Sequence, residues 1–453
     1  MTAQIDRGRL GELIGKELAA YVADHPAAQA AHARAEHLLG RVPMTWMMKN
    51  PASFPLYLAS ARGNTVTDLD GRRYLDFSLG DTAAMAGHSP QPVVDAVQRR
   101  FGEIGGATAM LPTEDGEWVG AELTRRFGLT RWNFALTATD ANRWAIRLAR
   151  AVTGRPKLLF HSYCYHGSVD ESLVVADGRG GSVSRPGNVG APVDVALTSR
   201  AAEFNDLAGL EEQLAHGDVA AVVMEPALTN IGIVLPEPGY LDGVRDLTRR
   251  HGTLLLIDET HTLSAGPGGC TRAWGLEPDI VVIGKAIGGG IPAGAYGVSA
   301  EFADSVLGRS DLDIVDMGGV GGTMAGNAVS LAAVRATLSE VLTDDAFDGM
   351  IATATRYTDG VRAVFDEYDV PWTVTQLGAR AEYRFTPVAP RNGTEADAAH
   401  DQELDDYVHL ALVNRGILLT PFHNMALMGP TTTADQVDTH LAALREVVGA
   451  LVG

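Results

Sequence analysis

Cysteine is nearly absent: Cys164 and Cys270 are the only two in 453 residues. Thiols so far apart in sequence build no disulfide framework, and the expectation is a reduced, cytoplasmic protein. Long apolar runs are missing as well. No stretch approaches the roughly 18–20 uninterrupted apolar residues of a membrane span. The opening MTAQIDRGRLGELIGKELAAYVADHP carries charge throughout and lacks the apolar centre of a secretory leader. Basic charge is short, with 36 Lys plus Arg against 56 Asp plus Glu and a net charge of -20. So acidic a chain repels nucleic acid and anionic membranes, which excludes both as partners. A small anionic ligand is still allowed, because it needs only a local positive site. Internal repeats, low-complexity tracts and a metal-ligand set are absent too.

What is present is an ordinary globular balance, 46% hydrophobic and 20% charged, in a chain long enough for two or three lobes. Residues 5–39 read as helix, with Leu10, Leu13, Ile14, Leu18 and Tyr21 at helical spacing. Short strands follow in LYLAS, TVTDLDG and RYLDFS, then helices at 90–104 and 115–127. From about residue 131, short apolar runs alternate with helical patterns: NFALTA, KLLFHS, VAAVVMEP, TLLLIDE, DIVVIGK and AGAYGVS. VAAVVM and TLLLI do not alternate, as expected when helices cover both faces of a mostly parallel sheet. After Gly326 come two helices, strands near 372–386 and 417–428, and a last helix over 433–452. The expected organisation is α/β. Residues 1–75 form a helix with short strands, 76–326 the large domain, and 327–453 a smaller α+β lobe.

Ligands collect beyond the carboxyl ends of strands in such sheets. Thr137 to Asp140, His161 to His166, Glu225, Asp258 and Lys285 all fall just after such runs. Lys285 follows five apolar residues and precedes three glycines. A strand-end lysine is ordinarily solvated; a desolvated one is a nucleophile able to form a Schiff base. Asp258 ends an apolar strand, so it is either an internal hydrogen-bond acceptor or the partner that keeps a pyridine nitrogen protonated. In NFALTATDANRWAIRLAR a strand turns tightly into a helix, which suits a phosphate, although capping by Thr139 or Asp140 would use the same residues. Tyr165 can stack on a planar ring or simply pack. Glu225 reads as a structural acceptor.

Five ordered segments, YCYHG, AIRLARAVTGRPK, IDETHT, GKAIGGGIPAGAYG and GGTMAGNAVSLAA, together make the chain resemble the class III (fold type I) aminotransferases. That group includes ω-amino-acid and amine transaminases and glutamate-1-semialdehyde aminomutase. The resemblance spans about residue 55 to the C-terminus. It implies a large lobe with a seven-stranded-type sheet, pyridoxal 5'-phosphate as cofactor, and a homodimer with shared active sites. It further implies that Lys285 forms the internal aldimine and shuttles a proton, that Asp258 pairs with the ring nitrogen, and that Tyr165 stacks on the ring. Ala138 and Thr139 would contact the phosphate, joined by Thr323 from the neighbouring subunit. The chain departs from the family pattern at Ala138, where glycine is usual, at Thr260, where valine is common, and at His261, where small or apolar residues are commoner.

A transaminase binds amino and keto acids in turn, and arginine suits their carboxylates. Arg380, with Arg384 on the same strand face, and Arg41 are the candidates. Trp46, Met47, Phe422, His423 and Met425 are candidates for the pocket wall. The leading expectation is a ping-pong aminotransferase acting on an amino acid or amine and a keto acid. An aminomutase or epimerase on the same scaffold is the alternative. A nucleotide-binding dehydrogenase is disfavoured, since the glycine loops at 288–290 and 318–322 do not spell G-x-G-x-x-G.

Overall fold

The computed structural model describes residues 5–453, which divide into two compact units. One holds Gln91–Phe347 and Pro390–Ala398. The other holds the chain up to Pro90, Asp348–Ala389 and Ala399–Gly453. The division therefore falls at 90/91 and 347/348, not at 75/76 and 326/327, and the two chain ends share a unit. Non-local pairing explains the difference. Ile417–Leu418 adds in parallel to the Arg73–Asp76 strand, and the Arg7–Asp24 helix packs on Gln402–Asn414. Helix Ala328–Ala336 packs instead on Gln91–Gln98 and Glu114–Phe127, which keeps it in the large unit.

The large unit is built on a seven-stranded sheet. In spatial order its strands are Arg131–Ala135, Gly294–Val298, Ile280–Gly284, Leu254–Asp258, Val219–Met224, Lys157–His161 and Ser199–Ala202. The last five are parallel to one another, while Gly294–Val298 runs against both its neighbours. All six residues of VAAVVM and all five of IVVIG are buried, as the unbroken apolar runs require. Because Arg131–Ala135 and Ile280–Gly284 both oppose Gly294–Val298, they point the same way. The segments after residues 135, 161, 224, 258 and 284 consequently emerge at one edge. Ser199–Ala202 escapes a sequence reading because SRAA is short and carries little apolar signal.

In the other unit the expected 5–39 helix is two, Arg7–Asp24 and Pro26–Arg34. Pro26 disfavours the helical region for His25, whose φ is −127° and ψ 50°. Asp6 caps the first helix, accepting from the Gly8 and Arg9 amides. Buried His25 hydrogen-bonds the Tyr74 hydroxyl at 2.7 Å, and Tyr74 donates on to Asp68 at 2.7 Å, fixing the break against the first sheet. The three expected N-terminal strands form as Leu58–Arg62, Thr65–Asp68 and Arg73–Asp76. A second sheet pairs Thr373–Leu377, Arg380–Arg384 and Met425–Leu427. The helix Gln402–Asn414 was not foreseen. No helix among the described residues is long and apolar enough to cross a membrane.

Candidate active site

The site is built at the shared strand edge of the large unit. Asp258 lies opposite Val282 in the adjacent parallel strand, and Lys285 comes three residues after Val282. Asp258 is buried, and its carboxylate is tightly held. Oδ2 accepts from Asn142 Nδ2 at 2.8 Å and meets His166 Nδ1 at 2.9 Å, while Oδ1 accepts from the Thr260 amide at 3.0 Å. Burial works to raise the Asp258 pKa, but the bonds from His166, Thr260 and Asn142 prevail and leave it below the ordinary carboxylate value. Burial opposes charge on His166 in turn, yet the neighbouring Cys164 sulphur and the Asp258 carboxylate carry its pKa well above the usual imidazole range. The pair is therefore an anion held by a cation.

Lys285 is half-buried and has a φ of +49°, in the left-handed region that non-glycine residues seldom occupy. Such strain costs on the order of 1–3 kcal/mol and persists only where surrounding structure enforces it. Gly284 before it has no room for a side chain, since a Cβ there would stand 2.9 Å from that of Ala138. Close packing thus brings the lysine strand against the turn after Ala135. Nζ of Lys285 lies 2.8 Å from Nε2 of His261.

That turn opens the Ala138–Thr153 helix, and its cap is Thr137, not Thr139 or Asp140; the Thr137 hydroxyl accepts from the Asp140 amide. Thr139 is thereby released from capping. Gly167, with φ +78°, packs so closely that a Cβ would collide with the Thr139 hydroxyl. Tyr165 is half-buried, and its amide donates to Glu225 Oε1 at 3.3 Å. Glu225 also accepts from the Thr229 hydroxyl, and burial raises its pKa. It is a structural acceptor, as the sequence suggested.

Thr323 is exposed and lies four residues before Asn327, the cap of helix Ala328–Ala336. Thr323 does not itself open this helix, since Asn327 takes the Ser330 amide at 2.9 Å. The other unit carries Arg380, Arg41, Trp46 and His423. Arg380 is fully buried, donating to Thr82 Oγ1 at 2.6 Å and facing Met425 Sδ at 3.3 Å. Four of the five residues of the Arg380–Arg384 strand are buried; Arg384 is half-buried. Arg41 is exposed and donates to the Ala33 carbonyl at 3.2 Å. Trp46 meets Phe422 edge-on at 5.9 Å, Lys49 sits 5.2 Å from the Phe422 ring, and His423 is 3.3 Å from Glu382.

Sequence reasoning missed Asn142 and gave His166 no role. Asn142 was discernible as a polar interruption in the stripe Ala141, Ala145, Ile146 and Ala149, all buried.

The residues fit a pyridoxal phosphate. An ionised acid faces the edge, a sixteen-residue helix offers its amino end, and a lysine stands at the adjacent strand end. Buried Asn142 Oδ1, His166 Nε2 and Thr260 Oγ1 have no partner among the described residues, so polar capacity remains around Asp258. Known proteins agree. The family model for class-III aminotransferases matches residues 47–448. A glutamate-1-semialdehyde 2,1-aminomutase of Chloroflexus aggregans is 33% identical over 408 residues, covering 88% of this chain and 91% of that one. A glutamate-1-semialdehyde-aminomutase structure from Pseudomonas aeruginosa is 48% identical, with TM-score 0.95 and 99% of each chain covered; a variant from that organism in complex with PMP is 47% identical, with TM-score 0.96 and the same coverage. An omega-transaminase of Sphaerobacter thermophilus is 31% identical, with TM-score 0.86, covering 95% of this chain and all of that one. This chain belongs to the class-III aminotransferases, enzymes of fold type I that work with pyridoxal phosphate.

Proposed function

We propose that this enzyme is an aminomutase, moving an amino group between two carbons of one amino-aldehyde of the glutamate-1-semialdehyde class. The observation that carries the reading is the 48% identity, over 99% of both chains, to the Pseudomonas aeruginosa aminomutase. Intermolecular amino transfer is the second reading, favoured by the family match and by the omega-transaminase likeness.

Bound pyridoxal phosphate supplies an electron sink for cleavage of a bond to the amino carbon. The chain does the rest. Lys285 Nζ would hold the cofactor covalently and would serve as the proton carrier at the amino carbon. Asp258, kept ionised, stabilises positive charge on a ring nitrogen, and His166 with Asn142 holds its carboxylate in place. Thr139 and the amides at the start of its helix take the phosphate, with Ala138 at the first helical position. Tyr165 would stack on the ring. Arg380, Arg41, Trp46 and His423 are the candidates for binding the substrate in this reading, Arg380 for its carboxylate.

The two reactions differ in mass balance. Given a vicinal amino-aldehyde and no keto acid, the aminomutase goes through many turnovers and releases an isomer. Intermolecular transfer instead uses one molecule as donor and the aldehyde of another as acceptor, releasing dicarbonyl and diamine in equal amounts; those products in place of the isomer would overturn the proposal.

We further propose a homodimer in which Thr323 of each subunit serves the phosphate of the other. Thr323 is exposed on a unit that also exposes Phe101, Met110, Leu111, Val315 and Met317, the kind of apolar surface a partner covers. Lys285→Ala and Thr323→Asp protomers, each inactive alone, should complement on subunit exchange. A mixed dimer then carries both lesions in one site and neither in the other. About a quarter of wild-type activity returns from an equal mixture, since half the dimers are mixed. Demonstrated exchange with no recovered activity rules the shared site out.

A further inference from the structure

We propose that His261 is the proton partner of Lys285. Its Nε2 accepts the surplus proton of the lysine ammonium and returns it when the amine must again become a cation. The proposal rests on Lys285 being the residue that attaches pyridoxal phosphate, and is indifferent to whether amino transfer is internal or between substrates.

The geometry carries the argument. Nζ and Nε2 stand 2.8 Å apart, within direct hydrogen-bond reach. Both are held there by structure around them. His261 begins the turn after the Asp258 strand, and that turn is anchored on both sides. The Thr260 amide binds Asp258 Oδ1 at 3.0 Å. Glu259, fully buried, takes the Cys270 amide at 3.1 Å, the Thr271 hydroxyl at 2.6 Å and amide at 2.5 Å, and the Thr262 hydroxyl. Its own carbonyl accepts from the Leu263 amide at 2.9 Å, so the backbone on either side of His261 has little freedom. Lys285 is held from its side by the left-handed backbone and by the packing of Gly284 on Ala138. A buried carboxylate with four donors and a strained lysine are thus arranged about one short contact.

The chemistry follows from lone pairs. An ammonium has none, so it neither attacks a carbonyl carbon nor accepts a proton from carbon. One proton passing from Nζ to Nε2 leaves a neutral amine and an imidazolium; the reverse transfer restores both, with no change of oxidation state. Imidazole suits the task because it ordinarily exchanges a proton near neutrality. A merely structural contact would need only a hydrogen bond, which glutamine can also make. That difference supplies the test.

Protein stripped of cofactor is mixed rapidly with pyridoxal phosphate, and growth of the visible band of the lysine-bound cofactor is followed for wild type, His261→Phe, His261→Gln and His261→Ala. No amino substrate takes part, so the outcome does not depend on which reaction the enzyme catalyses. The expected result is band growth at least tenfold slower in all three variants, with unchanged final amplitude and thermal midpoint. This magnitude lies below the roughly 10²–10⁴ range of positioned proton transfer. Added imidazole should recover at least threefold of the loss in His261→Ala. Wild-type rates in His261→Gln, no response of His261→Ala to imidazole, or loss of band amplitude in the variants each overturns the proposal. Absence of the band in wild type would instead count against the cofactor assignment to Lys285.

Discussion

Lys285→Ala is expected to lower kcat by more than about 10³-fold, within the range a positioned proton carrier alone supplies and with the covalent attachment lost as well. The fold should survive. The side chain is half-buried, and alanine meets the same left-handed backbone strain at φ +49° that lysine already bears. The packing of Gly284 on Ala138, so close that a Cβ on Gly284 would stand 2.9 Å from that of Ala138, does not involve the lysine side chain. The chain has four lysines, Lys16, Lys49, Lys157 and Lys285, so the assignment can be checked directly. Borohydride reduction followed by peptide mapping should mark Lys285 in the wild type and no lysine in the variant. Lys157 is occupied with Asp218 at 3.6 Å and Lys49 with the Phe422 ring, which leaves neither at the strand edge. Activity within tenfold of wild type, or a label on another lysine, ends the assignment.

Much of this site can be read from the sequence because its pieces are local. A lysine or aspartate directly after an unbroken apolar strand sits at a sheet edge, whatever the rest of the chain does. The non-alternating runs likewise announce a sheet covered on both faces. What could not be read depends on distant contacts. Nothing near Ile417 says that it will pair with Leu75, so the unit boundary was placed wrongly. The bond between Lys285 and His261 needs a turn whose shape is set by Glu259 reaching to Cys270 and Thr271. Nor does the sequence show that Arg380 donates to the hydroxyl of Thr82, 298 residues away. The single-helix reading of residues 5–39 underrated a local signal that was present, the proline at position 26.

Asp258→Asn should separate rate from binding. Asparagine keeps the shape, and its oxygen can still accept from the Thr260 amide, so the strand end and its turn should hold. The charge is lost. A pyridine nitrogen facing a neutral amide has nothing to hold its proton, and the electron sink weakens. An ionic hydrogen bond contributes about 1.5–3 kcal/mol, so kcat should fall by roughly 10–200-fold. Cofactor affinity should change much less, since the phosphate and lysine contacts are untouched. The substitution also strands His166, whose raised pKa depends partly on the Asp258 carboxylate. Because the folded-state pKa of His166 is raised, its stabilising contribution is complete below the unfolded imidazole value of about 6.5. It fades as pH climbs through the folded value. For Asp258, whose folded pKa is lowered, the contribution is present above the unfolded carboxyl value of about 3.9 and disappears as pH falls through the folded value. The wild type should therefore exceed Asp258→Asn in thermal midpoint most clearly between about pH 4 and 6.5, with the gap narrowing on both sides. An unchanged kcat with this stability difference intact would make Asp258 a structural partner of His166 and remove it from the chemistry.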